Sequence, residues 1–565
     1  MTANAEMKFE APGPGPWEAD TAHYTKPVTH FMRAPIVNGM PRGFSTSTER
    51  YGVLLSHFQP AIVNGFYYHQ PVAFGAPKGA NGPPPKIILQ LLTRLHPKMR
   101  ARIRTSKEAI EQKRWREDLE RWDSTVKPRS IARHATMRAI DPATLSLEAL
   151  TKHLRECAQY AEDMIEQHHI FTITSMFPIG DFLAHATRWT KKSAHEVLTA
   201  LRGSSPVSNG AAAHELHALA SALAANPTEL ATLKSTKDAA AALRDLMAQS
   251  TDLGQKARAY LDLVGYRSTG YDLSEPMGWE MPDMLLRGIL AAVDKSKAPE
   301  TASPTNARIQ ELRNAVPEEH RALFDELLEE ARHVNRLRDE RGVYSDGTAV
   351  GLIRRALLEA GSRLVAEKRL HHAASAIDLT CDEVVALLEG KTTPTADEVA
   401  ARTKFRQDNF SDSAPPFLNA QPAPPPPAAW LPEAARRPAL AVEAAIAALF
   451  VELGKKESAT QVSGIAVSPG VYEGTARLVS GPDDFALIQQ GDVLVTRATS
   501  PYFNVVLPLL GAIVTDRGGS LSHAAIVARE YGIPGVVGTR EGTSLIKNGA
   551  RVRVDGNAGA VTVIG

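Results

Sequence analysis

One histidine stands where a glycine turn gives way to a helix: Gly518-Gly519-Ser520-Leu521-Ser522-His523-Ala524-Ala525-Ile526-Val527-Ala528-Arg529-Glu530. The chemistry suited to such a position is the carriage of a phosphoryl group on His523. The unpaired N–H groups and the positive dipole end of the helix favour an anion on that side chain. A helix N-terminus also lowers a histidine's pKa, which keeps the ring neutral and able to attack phosphorus. Gly518 and Gly519 would give the backbone clearance for phosphate, with Ser522 at the helix entry. Arg517 and Arg529 are candidate phosphate contacts, although Arg529 lies beyond the first turn. The helix ends cleanly, because Gly532 can take a left-handed conformation and Pro534 forbids continuation.

The pattern Gly-Gly, a two-residue spacer, Ser-His-Ala-Ala-Ile and then Ala-Arg-Glu-x-Gly-Ile-Pro resembles the swivelling phosphohistidine domain of the phosphoenolpyruvate-utilising enzymes. The runs Gly464-Ile465-Ala466-Val467-Ser468-Pro469-Gly470, Asp492-Val493-Leu494-Val495-Thr496 and Ala512-Ile513-Val514-Thr515-Asp516-Arg517 fit the same domain, so the resemblance spans residues 464–565. Leu521 departs from it. Many members carry a threonine two residues before the histidine, where it can help hold phosphate.

The elements that must position this histidine fall into two regions. The 565 residues are 43% hydrophobic with a formal net charge of +1, from 64 basic and 63 acidic residues. That length suggests two to four domains, and the balanced charge gives no field for nucleic acid or a membrane surface. Cys157 and Cys381 are too few for a disulfide framework or a thiolate metal site. No signal peptide or membrane-spanning run is visible, so a cytoplasmic location is expected. Residues 1–84 read as an extended lead-in, with one aromatic anchor at Trp17, and an aromatic-rich N-terminal part of the helical domain that follows, the acceptor domain of the resemblance given below. Residues 85–412 read as helical, with Ile88, Leu91, Leu92 and Leu95 at helical spacing. Residues 413–457 hold a Pro/Ala-rich linker and helix, and 458–565 hold short β-prone runs separated by turn formers. The expected fold class is multidomain: a large, mainly α-helical domain, which the resemblance described next implies is acceptor-binding, plus a C-terminal α/β (β/β/α) domain, which the resemblance above implies is the swivelling phosphohistidine domain.

The helical region bears a weaker resemblance to rifampicin phosphotransferase-like enzymes, carried by Pro14 to Glu18, Gly180 to Leu183, Gly265-Tyr266-Arg267, Gly270-Tyr271-Asp272 and Leu337 to Arg341. It implies a cavity for a hydroxylated acceptor, with the charged helix residues Arg338, Asp339 and Glu340 facing the incoming phosphohistidine. Such chemistry wants a carboxylate to take the acceptor's proton and a guanidinium on the phosphoryl oxygens. Arg267 and Asp272 sit in a glycine-interrupted segment that could line the cavity or pair with each other. Tyr67 and Tyr68 could wall it or be plain core, and His69 and His185 are possible acid/base groups. His168-His169 and His371-His372 lack any zinc signature, so no metal site is expected. The basic stretch Lys98 to Arg116 is interleaved with acids, as on a mixed-charge surface helix.

No Gly-x-x-x-x-Gly-Lys-Ser/Thr occurs, and no region resembles a nucleotide-grasp domain. The division of labour resembles phenylphosphate synthase, in which the histidine-bearing and nucleotide-using components are separate chains. The expectation is a phosphotransferase component. His523 would take the β-phosphoryl of ATP on a separate nucleotide-grasp subunit, where Mg2+ accompanies the nucleotide, and pass it to a hydroxyl of a small aromatic or apolar acceptor. The alternative is a noncatalytic binding or regulatory partner switched by phosphorylation of His523.

Overall fold

The computed structural model describes residues 7–21, 23–205, 212–296, 305–450, 456–458, 461–499, 503 and 506–564. Parts of the expected lead-in and of the linker and helix expected over 413–457 lie outside these residues. The chain divides into two compact units, one of residues 1–174, 270–275 and 341–440 and the other of 175–269, 276–340 and 441–565. The cut falls inside the helical stretch 85–412, because successive helices there enter different cores.

The first unit holds four strands, β1 (Trp17–Ala19), β2 (Leu55–Val63), β3 (Phe66–Ala73) and β4 (Phe417–Leu418), in the antiparallel order β2-β3-β1-β4. The β2–β3 hairpin turns on Asn64 and Gly65, with φ of 50° and 86°. Asn-Gly favours this turn because both residues tolerate positive φ and its twist matches that of the strands. Residues two apart on β3 share a face, so Phe66 and Tyr68 enter an apolar core with Trp17 and Leu418, while Tyr67 turns the other way.

Helix His30–Arg50 packs on helix Leu147–Ile170. Their backbones approach closely through Gly39 and Gly43, where a Cβ would lie 2.6 Å from the Glu162 carbonyl oxygen and 2.3 Å from that of Glu166. Helix Leu147–Ile170 starts at Ser146, whose hydroxyl accepts the Ala149 N–H at 3.2 Å.

In the second unit, helices Ala213–Ala224, Asp252–Val264 and Pro282–Ser296 share an apolar core that includes Leu219, Leu261 and Ile289. Its C-terminal part supplies β5 (Lys456–Ser458), β6 (Gln461–Ser463), β7 (Ile465–Ser468), β8 (Val471–Val479), β9 (Asp492–Thr496), β10 (Leu510–Thr515), β11 (Gly535–Val537), β12 (Arg551–Asp555) and β13 (Ala560–Val563). These form a mixed sheet in the order β5-β6-β13-β12-β8-β9-β10-β11-β7, with β8, β9, β10 and β11 mutually parallel. The central strands are apolar on both faces, since both are covered. Leu494 and Ile513 face a core shared with Phe485, Ala524 and Val527, and Val493, Val495 and Val514 face another with Val552 and Val561.

The mainly helical body and the C-terminal α/β domain are thus both present. Among the described residues no helix is long and apolar enough to cross a membrane.

The close helix approach yields a test. Gly39→Ala should lower the thermal midpoint by an amount equivalent to about 1–3 kcal/mol, since the added methyl overlaps the Glu162 carbonyl. Gly13→Ala, with nothing within 4 Å, should leave it unchanged in differential scanning calorimetry.

Candidate functional site

His523 opens the helix His523–Tyr531 and follows β10 through a loop that begins at Asp516. Asp516 fixes the start of that loop by accepting the Thr539 hydroxyl at 2.9 Å and the Thr543 N–H at 3.1 Å. Ser522 is the N-cap, and its hydroxyl accepts the Ala525 N–H at 3.4 Å. At the far end Gly532 takes φ 65° in the left-handed cap, and the Ile533 N–H returns to the Ala528 carbonyl at 3.0 Å.

The two glycines do a different job from the one their types suggested. The Gly519 N–H donates to the Leu449 carbonyl at 3.0 Å, and a Cβ on Gly519 would lie 2.4 Å from the Ala448 carbonyl oxygen. Its clearance is taken by the end of helix Glu433–Phe450 rather than by a phosphate. Gly518 takes φ 107°, and a Cβ there would press on Ser522. Leu521 is only 4% exposed. Its N–H donates to the Ala448 carbonyl at 2.7 Å and its own carbonyl accepts from Arg338 Nη2, so the residue where a threonine was looked for anchors the loop.

The His523 ring is half-buried, and its Nδ1 lies 3.1 Å from the Thr499 hydroxyl. In the tautomer that carries its proton on Nδ1 the ring donates to Thr499 and the lone pair sits on Nε2; in the other the Thr499 hydroxyl donates to Nδ1. Burial, then the guanidiniums of Arg267 and Arg338, bring the ring's pKa down to about 3. The ring is therefore neutral at physiological pH, with two guanidiniums near enough for their charge to act on it.

Arg267 is 7% exposed and lies just beyond helix Asp252–Val264. Its segment is closed by a bridge between Ser268 and Met277, and its carbonyl accepts the Gly278 N–H at 3.1 Å. Arg338 comes from helix Arg321–Gly342.

The other expected residues are distributed differently. Asp339, on that same helix, is 3.5 Å from the Ser205 hydroxyl and near enough to Glu530 to help raise its pKa, after burial. Glu340 is buried and ion-paired with Arg336 at 3.0 Å. Arg529 is buried too, with a pKa pushed down to about 10 by that burial, and donates weakly to the Val467 carbonyl at 3.4 Å. It braces the helix against β7. The Arg517 N–H donates to the Arg497 carbonyl at 2.8 Å, which joins the ends of β10 and β9. His185 Nδ1 donates to the Asp181 carbonyl at 2.9 Å, with its ring against Trp189.

Asp272, Tyr67 and Tyr68 belong to the first unit. Asp272 accepts the Thr29 N–H at 3.1 Å and the Thr29 hydroxyl at 2.6 Å, and is a buried tie within that unit. Tyr68 donates to the Pro415 carbonyl at 2.7 Å from within the apolar core, while Tyr67 stacks on Tyr24 at 4.9 Å. Because they are adjacent on one strand they face opposite sides and cannot wall one pocket together.

The residue missed from sequence is Thr499. Sites in parallel sheets gather beyond the carboxyl ends of strands, and Thr499 lies just past β9, next to β10. Among the described residues no group of three or more His, Cys, Asp and Glu side chains is placed to hold a metal ion.

Residues 488–559, which contain His523, match the PEP-utilising enzyme mobile domain. Residues 168–339, which contain both Arg267 and Arg338, match the fourth domain of rifampicin phosphotransferase. Rifampicin phosphotransferase of Bacillus cereus is 42% identical over 106 residues, 19% of this chain and 12% of the relative. Phosphoenolpyruvate synthase of Aeropyrum pernix is 45% identical over 106 residues, 19% of this chain and 13% of the relative. An uncharacterized phosphotransferase of Bacillus subtilis is 42% identical over 110 residues, 20% of this chain and 13% of the relative. The matched part of the chain thus spans 12–13% of the length of these curated relatives. The chain carries a mobile domain of the phosphoenolpyruvate-utilising kind, together with a helical region similar to one from rifampicin phosphotransferase.

The depressed pKa sets a pH test. Because the folded value of about 3 lies below the ordinary 6.5, the unfolded chain takes up the proton first as pH falls. The stability this gives is complete above about 6.5 and is lost as pH falls toward about 3. Wild type should lose stability across that window relative to His523→Gln, and the His523 ring signal in NMR should not move between about pH 5 and 8. Arg338→Ala should shift the titration upward.

Proposed function

We propose that this chain is a phosphotransferase component in which His523 is the phosphoryl carrier. The observation that carries the reading is a neutral imidazole at a helix N-terminus, beside two guanidiniums, inside a mobile domain of the phosphoenolpyruvate-utilising kind. In the first step His523 Nε2 bonds to the β-phosphorus of ATP held on a separate nucleotide-grasp subunit as the bond from that phosphorus to the AMP oxygen breaks and AMP leaves; water then attacks the γ-phosphorus, the β–γ linkage breaks and inorganic phosphate leaves, so that one phosphoryl group remains on the nitrogen. In the second step an acceptor hydroxyl oxygen attacks phosphorus, the N–P bond breaks and the hydroxyl proton passes to a base. Loading and delivery at separate closed sites replace one transfer exposed to water. Arg267 and Arg338 would steady the charge on the equatorial oxygens, and the first-turn amides of the helix add to it. The acceptor is a small ring-bearing hydroxyl compound, and Mg2+ acts with the nucleotide on the partner.

Burial of Leu521 favours a second reading, a binding protein switched by phosphorylation of His523, since that residue offers phosphate no hydroxyl.

Peptide mass spectrometry under non-acidic conditions separates these readings. After incubation with ATP and Mg2+, an acid-labile phosphoryl group should appear on the His523 peptide only when an extract of the host is present, and His523→Ala should take up none. Absence of uptake in both conditions would sink the carrier reading. Arg338→Ala should slow discharge to an acceptor by about 10²-fold. Uptake that no hydroxyl compound discharges would favour the switch.

A further inference from the structure

Helix Lys86–Leu95, in the first unit, turns its apolar stripe away from the core. The spacing of Ile88, Leu91, Leu92 and Leu95 is that of a buried face, yet all four are exposed, and so is Ile87. Ile87, Leu91 and Leu95 are 72%, 52% and 70% exposed. Of the twelve large apolar side chains that stand exposed among the described residues, these five share one helix. Single exposed leucines are ordinary, but a contiguous patch marks a surface that something covers.

The patch is continuous. At about 100° per residue, Ile87, Leu91, Leu95, Ile88 and Leu92 follow one another around an arc of about 140°, and no polar side chain falls among them. The opposite side of the helix already has its partners. Leu89 enters an apolar cluster with Ile103, Leu431 and Ala435, and the buried Thr93 hydroxyl donates back to the Leu89 carbonyl at 2.9 Å.

Charge is as uneven here as hydrophobicity. From residue 50 to residue 107 the chain has nine Lys and Arg and no Asp or Glu, an excess that the whole-chain balance conceals. Arg94 borders the apolar arc on the same helix. The next helix, Pro97–Glu111, packs on the first and turns Ile103 into the same cluster, so the outer sides of both look away from it. That outer side carries Arg100, Arg104 and Lys107, exposed and spaced by four and three residues as one stripe. Among the described residues only Lys107 of these has a carboxylate partner, Glu111 at 3.6 Å. Arg102 points inward instead. It donates to the Val53 carbonyl at 3.0 Å and covers the Phe74 ring at 4.6 Å, which fastens the helix to the body.

These features select what covers the patch. A second copy would bring one basic face against another, and like charges repel. A nucleic acid would meet aliphatic side chains where its bases need aromatic rings. A protein partner is held in register by polar groups of both signs around an apolar centre, whereas this rim has one sign only. An anionic bilayer needs no register. It asks for aliphatic side chains that enter the acyl boundary and cations beside them at the headgroups.

We propose that helix Lys86–Leu95, with Arg94 and the Arg100–Arg104 stripe beside it, is a surface anchor that lays Ile87, Leu91 and Leu95 into an anionic membrane. Ten residues are too few to span a bilayer, so the helix lies in its plane. The anchor is independent of whether His523 carries phosphate.

The experiment is flotation of the full chain with phosphatidylcholine vesicles that contain phosphatidylglycerol and, separately, with vesicles of phosphatidylcholine alone. Binding should be at least about tenfold tighter to the anionic vesicles and should weaken as salt is raised. Leu91→Gln with Leu95→Gln should weaken it by about tenfold or more. Arg94→Gln with Arg100→Gln should weaken it by about tenfold on the anionic vesicles and leave the neutral ones unaffected. Ile131→Gln, at an exposed position elsewhere in the same unit, and His523→Ala should bind as wild type does. Absence of flotation with anionic vesicles, equal binding to neutral ones, or full binding by the glutamine pair at 91 and 95 would overturn the anchor. Should that pair lose its near-ultraviolet circular dichroism, the arginine pair still decides. A dimer in sedimentation velocity that the leucine changes dissolve, without flotation, would assign the patch to a second copy. A host protein held through the same leucines, without flotation, would assign it to a protein partner, and either result overturns the proposal.

Discussion

The hydrogen bond from Arg338 to the Leu521 carbonyl is the contact on which the placement of His523 depends. It ties a guanidinium from a long helix to the backbone two residues before His523, so cation and nucleophile are fixed by one link. The loop has little freedom left once the N–H groups of Gly519 and Leu521 are also bonded to the end of helix Glu433–Phe450. Burial beside two guanidiniums then removes the ring's proton-binding competitor across the physiological range.

The sheet explains why the groups around His523 converge. β9 and β10 run parallel and adjacent, and the chain leaves both at the same edge. Thr499 follows one and the glycine loop follows the other, so a hydroxyl and an imidazole separated by 24 residues meet at 3.1 Å. Parallel strands require covered faces, and the helix that starts with His523 is part of that cover, through Ala524 and Val527. Its first residue can therefore do chemistry while the rest of it is core.

His523 has the guanidiniums of Arg267 and Arg338 beside it. That charge balance was assembled from residues distant in sequence, and the overall net charge of +1 gives no hint of it.

Local rules made much of the C-terminal domain legible. The helix from His523 to Tyr531, its cap at Gly532, and strands such as Asp492 to Thr496 follow from periodicity, capping and turn chemistry, which act over a few residues. The Asn64-Gly65 hairpin obeyed an equally local rule that went unread. What the sequence could not decide was which of several charged residues would face the histidine. Arg338, Asp339 and Glu340 are neighbours on one helix, but side chains successive on a helix point about 100° apart, so packing alone sent the first to the His523 loop, the second toward Ser205 and the third to Arg336. Gly519 likewise met a carbonyl of another helix where a phosphate was the natural guess. The sequence by itself determined the helix that His523 opens and the mobile domain that carries it. Only the tertiary structure selected Arg267, Arg338 and Thr499 as its companions, because a contact between residues far apart in the chain depends on where every intervening element packs.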